Sequence, residues 1–563
     1  MPVFNQHWQH LLFQLRVLYR VFFMRVVDLE LLAQDGDTSR LMGQFASVFV
    51  TISFFCSFPV PVLLVGRTPI PPHLSYMFQH FLIETSMTIA GIIAVLSCDS
   101  AFPDRRDMLV LGPLPVRSST LFFSKLAAVF AGPIFAMASF NLCTGFSWPM
   151  VFAVGAGGSY SLLRSFPAYW LTILLAGSFF VLGILAIQGL AANLLPRQIF
   201  LRFSAVLQAA LLCILLSSYF LGPSFNSPEA LAASQNQHEL AWLPAYWFLG
   251  LFNQLNGTLR PELVPLAHRA WAALDIVALA SVAALLLSYF RTLRRVVEQP
   301  EIIPVVRNVS FPFGSSLSAV ITLFSLRTLM RSRLHRMILS VYIGIGLTII
   351  FGFIHTRFAR QNADASGTLS LTYLLASILI ISLSIFALRI VVGIPISLRA
   401  NWIFRLTQVR PFWHYHRAVR VSFFAICIVP SLVFLSVAVF KRNYSTHAVM
   451  AHLALMALLG ALIIELCLFA FRKISFACSY MPGKANLHFV FWPTLFGSIQ
   501  WIRDAASFEG RTLDHPGTFA RLFLALAVAG LITHWVANYR AYRVSELIFD
   551  EEDMRGMVTL NLR

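Results

Sequence analysis

Residues 367–394 read GTLSLTYLLASILIISLSIFALRIVVGI, and the only charged side chain in this stretch is Arg389. An α-helix rises 1.5 Å per residue, so about 20 apolar residues are enough to cross the hydrocarbon core of a bilayer. Apolar runs of 18 or more residues are typical of membrane-spanning helices, whereas helices buried in soluble cores have shorter ones. This stretch therefore predicts a transmembrane helix.

The rest of the chain repeats the pattern. Of its 563 residues, 58% are hydrophobic and 12% are charged, and about 25% would be charged in a soluble domain. We therefore expect an all-α fold: a polytopic integral membrane protein with about twelve transmembrane helices in two six-helix halves. The predicted spans are 41–66, 76–98, 121–153, 165–192, 199–222 and 268–290, then 336–356, 367–394, 420–440, 449–473, 488–502 and 517–537.

The net charge of +18 has a membrane explanation. Basic residues are spread over many short loops rather than gathered in one patch, so the sequence does not favour nucleic-acid binding. Of the 42 Lys and Arg residues, 30 fall in segments that are cytoplasmic if the N-terminus is inside, and 11 fall in external segments. The positive-inside rule then predicts that both termini are cytoplasmic and that the basic loops contact membrane lipids.

Two similar halves are predicted from the order of the segments. Each half begins with a basic amphipathic stretch. In the first of these, Leu18 and Phe22 share an apolar face while Arg16 and Arg20 lie opposite. The predicted layout is an interfacial helix in 1–40, a first module in 41–300, a linker with a second interfacial helix in 301–335, a second module in 336–537 and a cytoplasmic tail in 538–563.

A short polar loop at 99–125 interrupts the first module on its cytoplasmic side. It contains an acidic–basic cluster, then leucines, a Leu-Pro element and a lysine that opens the next span. Charged groups and exposed leucines together suit contact with a soluble partner, whereas a loop that only fixes orientation needs basic residues alone. The residues predicted to dock this partner are Asp104, Arg105, Arg106, Asp107, Leu111, Leu114, Pro115 and Lys125.

This loop resembles the one that couples the membrane (permease) subunits of type-2 ATP-binding-cassette exporters to their ATPase. The resemblance extends to the order of elements in residues 1–300. It implies a multi-pass permease subunit in the bacterial plasma (inner) membrane, energised by a separate ATP-binding-cassette ATPase and exporting an unidentified substrate. Family members usually have six spans per chain and dimerise, so the resemblance leaves open a homodimer or a pseudo-dimeric monomer. The corresponding loop of the second half, 395–420, lacks the Leu-Pro element.

No catalytic motif is evident in the sequence. The nearest text to a phosphate-binding loop, Gly483-Lys484-Ala485-Asn486, lacks the hydroxyl residue that such a loop needs. We therefore expect no enzyme activity and no cofactor in this chain, with ATP bound on the partner subunit. Histidines and cysteines do not form a recognisable metal-ligand spacing, so no metal site is predicted.

Four charged residues fall within the apolar runs, where charge is costly and tends to be functional. They are candidates for a transport pathway: Glu84, Asp275, Arg389 and Glu465. The external segment before the sixth span is rich in aromatic residues and suits an interfacial or re-entrant helix. Its predicted functional residues are Trp242, Tyr246, Trp247 and Phe248.

Two other functions stay open at this stage. A proton-coupled secondary transporter would use the intramembrane carboxylates as proton carriers. A membrane-embedded glycosyltransferase that takes a lipid-linked sugar would need acidic residues at the external surface. The first external loop, 67–75, contains no Asp or Glu, which counts against the glycosyltransferase.

Overall fold

The computed structural model divides the chain into two compact units, Met1–Pro304 and Val305–Arg563. It describes residues 12–23, 38–65, 71–102, 110–111, 113–156, 161–221, 225, 227–298, 317–332, 335–336, 338–344, 346, 369–394, 412–439, 445–469, 471, 473–476, 501–513 and 515–543. Within these residues the protein is helical and contains no β-strand.

The described helices include nine that are long and apolar enough to cross a membrane. Five of them lie in the first unit and four in the second. A tenth, shorter apolar stretch, Val206–Tyr219, coincides with the predicted fifth span. The predicted spans 336–356 and 488–502 each lie mostly outside the described residues. The helical membrane protein is thus supported, while the twelve spans and their two-half arrangement stay predictions.

In the part of the first unit that the structure describes, there are one short N-terminal helix, six long helices and several short connecting ones. Its α-helices are α1 (12–23), α2 (Thr38–Ser57), α3 (Pro59–Val65), α4 (Pro72–Ser97), α5 (Ser118–Ala156), α6 (Ser161–Leu194), α7 (Arg197–Leu221), α8 (Pro228–Ala232), α9 (Gln237–Leu240), α10 (Pro244–Asn256) and α11 (Val264–Glu298). Helix α6 lies at the centre, where it packs against α4, α5, α10 and α11.

Polar side chains tie the middle of this unit together. The Asn141 amide on α5 donates to Ser86 Oγ on α4 at 3.0 Å and accepts from the Tyr169 hydroxyl on α6 at 2.7 Å. All three side chains are buried. Such bonds hold helices in one arrangement because lipid offers no alternative partner to a polar group.

The second unit is built around α13 (Leu371–Val392) and α16 (Thr446–Leu468), which pack together. Its other helices are α12 (Leu317–Arg331), α14 (Phe412–Phe423), α15 (Val429–Val439), α17 (501–513) and α18 (Pro516–Arg543). A π-helical turn, Phe424–Ile428, joins α14 to α15, so that the two form one continuous apolar helix that is long enough to cross a membrane. Such turns are rare and occur frequently at functional sites.

Candidate functional site

The closing lysine of the loop 99–125 lies inside the first unit. Lys125 is only 3% exposed, and its ammonium donates to the Phe102 carbonyl at 3.1 Å. The same ammonium lies 5.1 Å from the centre of the Phe22 ring on α1. Cation–π contacts of this kind are attractive, and more so when desolvated. Lys125, on α5, therefore joins the turn that follows α4 to helix α1.

The described part of the loop has an inner and an outer side. Leu111 and Val116 pack inward against a cluster that contains Leu18 and Phe22 of α1. Their neighbour Leu114 faces outward and is 49% exposed. The charged residues Asp104, Arg105, Arg106 and Asp107 lie outside the described residues. The docking role of the loop stays a prediction, in which Leu114 and the exposed Pro115 form the described outer surface.

The interfacial helix has three faces rather than two. Leu18 and Phe22 are buried against the unit, while Arg16 and Arg20 are exposed. Between these faces lies an exposed apolar strip of Phe13, Val17 and Val21, spaced four residues apart. A strip of this kind beside basic residues suits a helix that lies in the membrane interface.

The aromatic segment before the predicted sixth span contributes α10, which packs against other helices of the first unit. The helix begins at Pro244 and is closed by Gly257, whose φ of 82° is the left-handed conformation that favours glycine at a helix end. Tyr246 and Phe248 are buried, and Trp247 Nε1 donates to the Leu240 carbonyl at 2.8 Å. Trp242, by contrast, is 77% exposed.

Tyr246 connects this segment to an intramembrane carboxylate. Its ring stacks on His80 with the ring centres 4.0 Å apart, and His80 Nδ1 lies 3.5 Å from Glu84 Oε2. The Tyr246 hydroxyl accepts the backbone N–H of Phe225 at 2.8 Å. Burial raises the pKa of this phenol to about 12, so it stays protonated at neutral pH. Glu84 and Tyr246, which the sequence predicted separately, therefore belong to one site.

Glu465 lies in a buried charged cluster in the second unit. Its Oε1 atom is 3.2 Å from Arg420 Nη1 on α14 and 2.6 Å from His534 Nδ1 on α18. Arg420 also donates to His416 Nδ1 through Nη2 at 2.7 Å and to Asn538 Oδ1 at 2.6 Å. The cluster thus joins α14, α16 and α18, three of the helices that are long and apolar enough to cross a membrane.

The hydrogen bonds orient both histidines of this cluster. His416 Nδ1 accepts from Nε and Nη2 of Arg420, and His416 Nε2 faces the Leu468 carbonyl at 3.2 Å. His534 Nε2 accepts from the Asn538 amide at 2.9 Å, while His534 Nδ1 lies 2.6 Å from Glu465 Oε1 and 3.0 Å from Arg420 Nη1. The Arg420 guanidinium and the Glu465 carboxylate are the oppositely charged pair of the cluster. Glu465 Oε2 has no hydrogen-bond partner among the described residues.

The other two predicted intramembrane charges differ in their surroundings. Arg389 Nε on α13 donates to the Cys467 carbonyl at 3.0 Å, and its guanidinium lies 4.7 Å from the centre of the Phe471 ring. It thus contacts the end of the helix that carries Glu465. Asp275 is exposed on α11 and makes no ion pair with any residue that the structure describes.

A buried His–Glu pair in the second unit was not predicted. His452 Nδ1 on α16 lies 2.6 Å from Glu509 Oε1 on α17, and both side chains are almost completely buried. In the described part of the chain, His452 Nε2 and Glu509 Oε2 lack hydrogen-bond partners. The 57 residues that separate the pair explain why no local pattern indicates it.

The described residues contain no group of three or more His, Cys, Asp or Glu side chains that could hold a metal ion. The chain matches no family profile, no curated protein and no solved structure. Its function is therefore inferred from the sequence pattern and the geometry alone.

Proposed function

We propose that this chain is the membrane-spanning permease subunit of an ATP-driven exporter of the type-2 ATP-binding-cassette class. A separate ATPase subunit docks on the loop 99–125, binds the ATP and supplies the energy. The chain itself provides the pathway across the bacterial plasma membrane, with both termini in the cytoplasm. The substrate class is left open, because an apolar pathway with few charges is compatible with many substrates.

The observation that carries this proposal is the junction around Lys125. A loop that only fixes orientation requires basic residues, not a rigid link to other elements. Here a buried lysine ties the base of the loop to α4, α5 and α1 at once, while Leu114 and Pro115 face outward. A push on the outer side of the loop would therefore move three membrane elements together, as coupling to an ATPase requires.

Affinity purification from membranes in mild detergent tests the proposal. The variant replaces Asp104, Arg105, Arg106 and Asp107 with Ala. A control variant, Glu239→Ala with Arg260→Ala and Glu262→Ala, removes charges from the predicted external side. We expect wild type and the control to bring down an ATPase that carries a phosphate-binding loop, and the loop variant to lose it. If the folded wild-type protein recovers no such ATPase, the proposal fails.

A second candidate, proton-coupled transport, is favoured by the pairing of buried carboxylates with histidines. Glu465 contacts His534, Glu509 contacts His452 and Glu84 lies beside His80. Intramembrane proton relays are built from carboxylates and histidines of this kind. The two candidates differ in proton uptake by liposomes that contain the purified chain alone. A pH-sensitive dye trapped inside the liposomes reports this proton uptake. If transport is proton-coupled, wild type should take up protons and Glu465→Gln should not. If the chain depends on an ATPase, neither should take up protons.

A further inference from the structure

The exposed side of α1 combines apolar and basic side chains. Phe13, Val17 and Val21 form the apolar strip and are 67%, 45% and 52% exposed. Arg16 and Arg20 are exposed as well, and each lies about 100° around the helix from its neighbour in the strip. The described helix contains no Asp or Glu. Apolar area with a net positive charge is the combination that binds anionic membrane surfaces.

The buried side of α1 lies at the opposite edge of this strip. Leu18 and Phe22 each follow a valine of the strip by one residue, so they lie about 100° from it on the side away from the arginines. Both are buried against the first unit. The exposed and buried sides are therefore separate, and a membrane surface can bind one while the unit keeps the other.

The buried side of α1 also contacts the base of the loop that Lys125 closes. Leu111 and Val116 of the loop pack against the cluster that contains Phe22. The Phe22 ring lies 5.1 Å from the Lys125 ammonium, which donates to the Phe102 carbonyl at 3.1 Å. An interaction that keeps α1 in place therefore also stabilises the base of this loop.

We propose that an anionic phospholipid surface binds the exposed side of α1 and thereby stabilises the loop 99–125. A helix that is already held on a bilayer surface beside the unit has fewer undocked arrangements, so docking costs it less conformational entropy. This coupling depends on α1 and the loop alone. Its consequence for an ATPase, which would bind a stabilised loop more tightly, rests on the proposed function.

Hydrogen exchange of the purified full-length chain in nanodiscs tests the coupling. The nanodiscs contain phosphatidylcholine, either alone or mixed with phosphatidylglycerol. The backbone N–H groups of Leu114 and Val116 report on the loop, because they are hydrogen-bonded within it at 3.2 and 2.7 Å. We expect phosphatidylglycerol to slow their exchange at least about fivefold, the lower end of the usual coupling between two sites.

Variants separate lipid binding from its effect on the loop. Arg16→Gln with Arg20→Gln changes only exposed side chains, so it should fold. It should lower the labelling of α1 by a photo-reactive phosphatidylglycerol about fivefold per arginine and abolish the response of the loop. Lys125→Met should keep the labelling and lose the response. The control, Arg327→Gln with Arg331→Gln, removes two exposed arginines from α12 and should leave both measurements unchanged.

Four results would overturn the proposal. Equal exchange of the loop in the two kinds of nanodisc would exclude the coupling, and an unchanged response in the Arg16 and Arg20 variant would exclude α1 as the lipid site. A full response in Lys125→Met would exclude the route through the lysine. Faster exchange with phosphatidylglycerol would show that the membrane surface draws α1 away from the unit. None of these measurements includes an ATPase, so the coupling can fail while the exporter assignment stands, and the reverse.

Discussion

Replacing Arg420 with methionine should destabilise the second unit by about 3 kcal/mol. Removing one partner of a buried ion pair generally costs about 3–5 kcal/mol, because it leaves a desolvated charge uncompensated. Arg420 and Glu465 are each about nine-tenths buried. The cost should be at the lower end because His534 still donates to the carboxylate from 2.6 Å. A loss of this size is a large fraction of the total stability of a typical domain.

The double variant Arg420→Met with Glu465→Leu separates the effect of the uncompensated charge on stability from the effect of lost packing. It removes both charges, and His534 is half exposed and can turn to water instead. We expect the double variant to be at least 1 kcal/mol more stable than the single Arg420→Met variant. Arg417→Met serves as the control, because Arg417 is exposed on the same helix and its loss should change stability by less than about 0.5 kcal/mol.

Unfolding in mixed micelles by titration with sodium dodecyl sulfate, followed by circular dichroism, gives these free energies. If Arg420→Met behaved like Arg417→Met, the buried pair of Arg420 and Glu465 would not stabilise the second unit. If the single and double variants were equally unstable, the cost would come from lost packing rather than from an uncompensated carboxylate.

Three further changes test the first unit by the same titration. Lys125→Met should lower the free energy of unfolding by about 1–3 kcal/mol because it removes a charged donor from the Phe102 carbonyl. Arg117→Met, at an exposed position, is the control and should leave stability unchanged. Equal effects of the two changes would contradict the buried junction. Gly250→Ala should destabilise the protein by about 1–3 kcal/mol because the new Cβ would lie 2.6 Å from a backbone nitrogen of α11. Gly517→Ala is the control, because open space surrounds Gly517 and its change should not destabilise the protein. A stable Gly250→Ala variant would refute the close approach of α10 and α11. Tyr246→Phe should cost about 1 kcal/mol through the lost bond from the Phe225 N–H, and no change would show that water replaces it.

The membrane helices could be predicted from the sequence because their signal is local. A run such as 367–394 carries its own evidence in length and composition, and α13 is found within it. The charges Arg389 and Glu465 were also visible, since each stands out against an apolar background. An apolar run does not by itself mark the residues at which a helix begins and ends, so the predicted bounds were less well defined.

The partners of those charges could not be predicted. In the sequence, Arg420 ends the predicted cytoplasmic segment 395–420, which holds other basic residues, so the positive-inside rule already explained it. His534 and Asn538 are single polar residues that lie 114 and 118 positions from Arg420 in the chain. Pairing over such distances is decided by helix packing, which leaves no periodic trace in one sequence.

The burial of Lys125 was missed for a related reason. Its position at the start of a span suggested an exposed lysine at the end of the loop. The Phe22 ring that covers it comes from α1, about a hundred residues earlier in the chain. A long basic side chain can bury its stem and ammonium when a carbonyl and an aromatic ring are both available.

In the proposed function, the outer side of the loop 99–125 contacts an ATPase. The most direct test places a photo-reactive amino acid at Leu114, in cells that express the full chain, and identifies the cross-linked proteins by mass spectrometry. The same probe at Trp242, exposed on the predicted external side, is the control. We predict that Leu114, and not Trp242, yields an adduct with a protein that carries a phosphate-binding loop. If Leu114 yields no ATPase adduct from the folded, membrane-inserted protein, the assignment as an exporter subunit is contradicted.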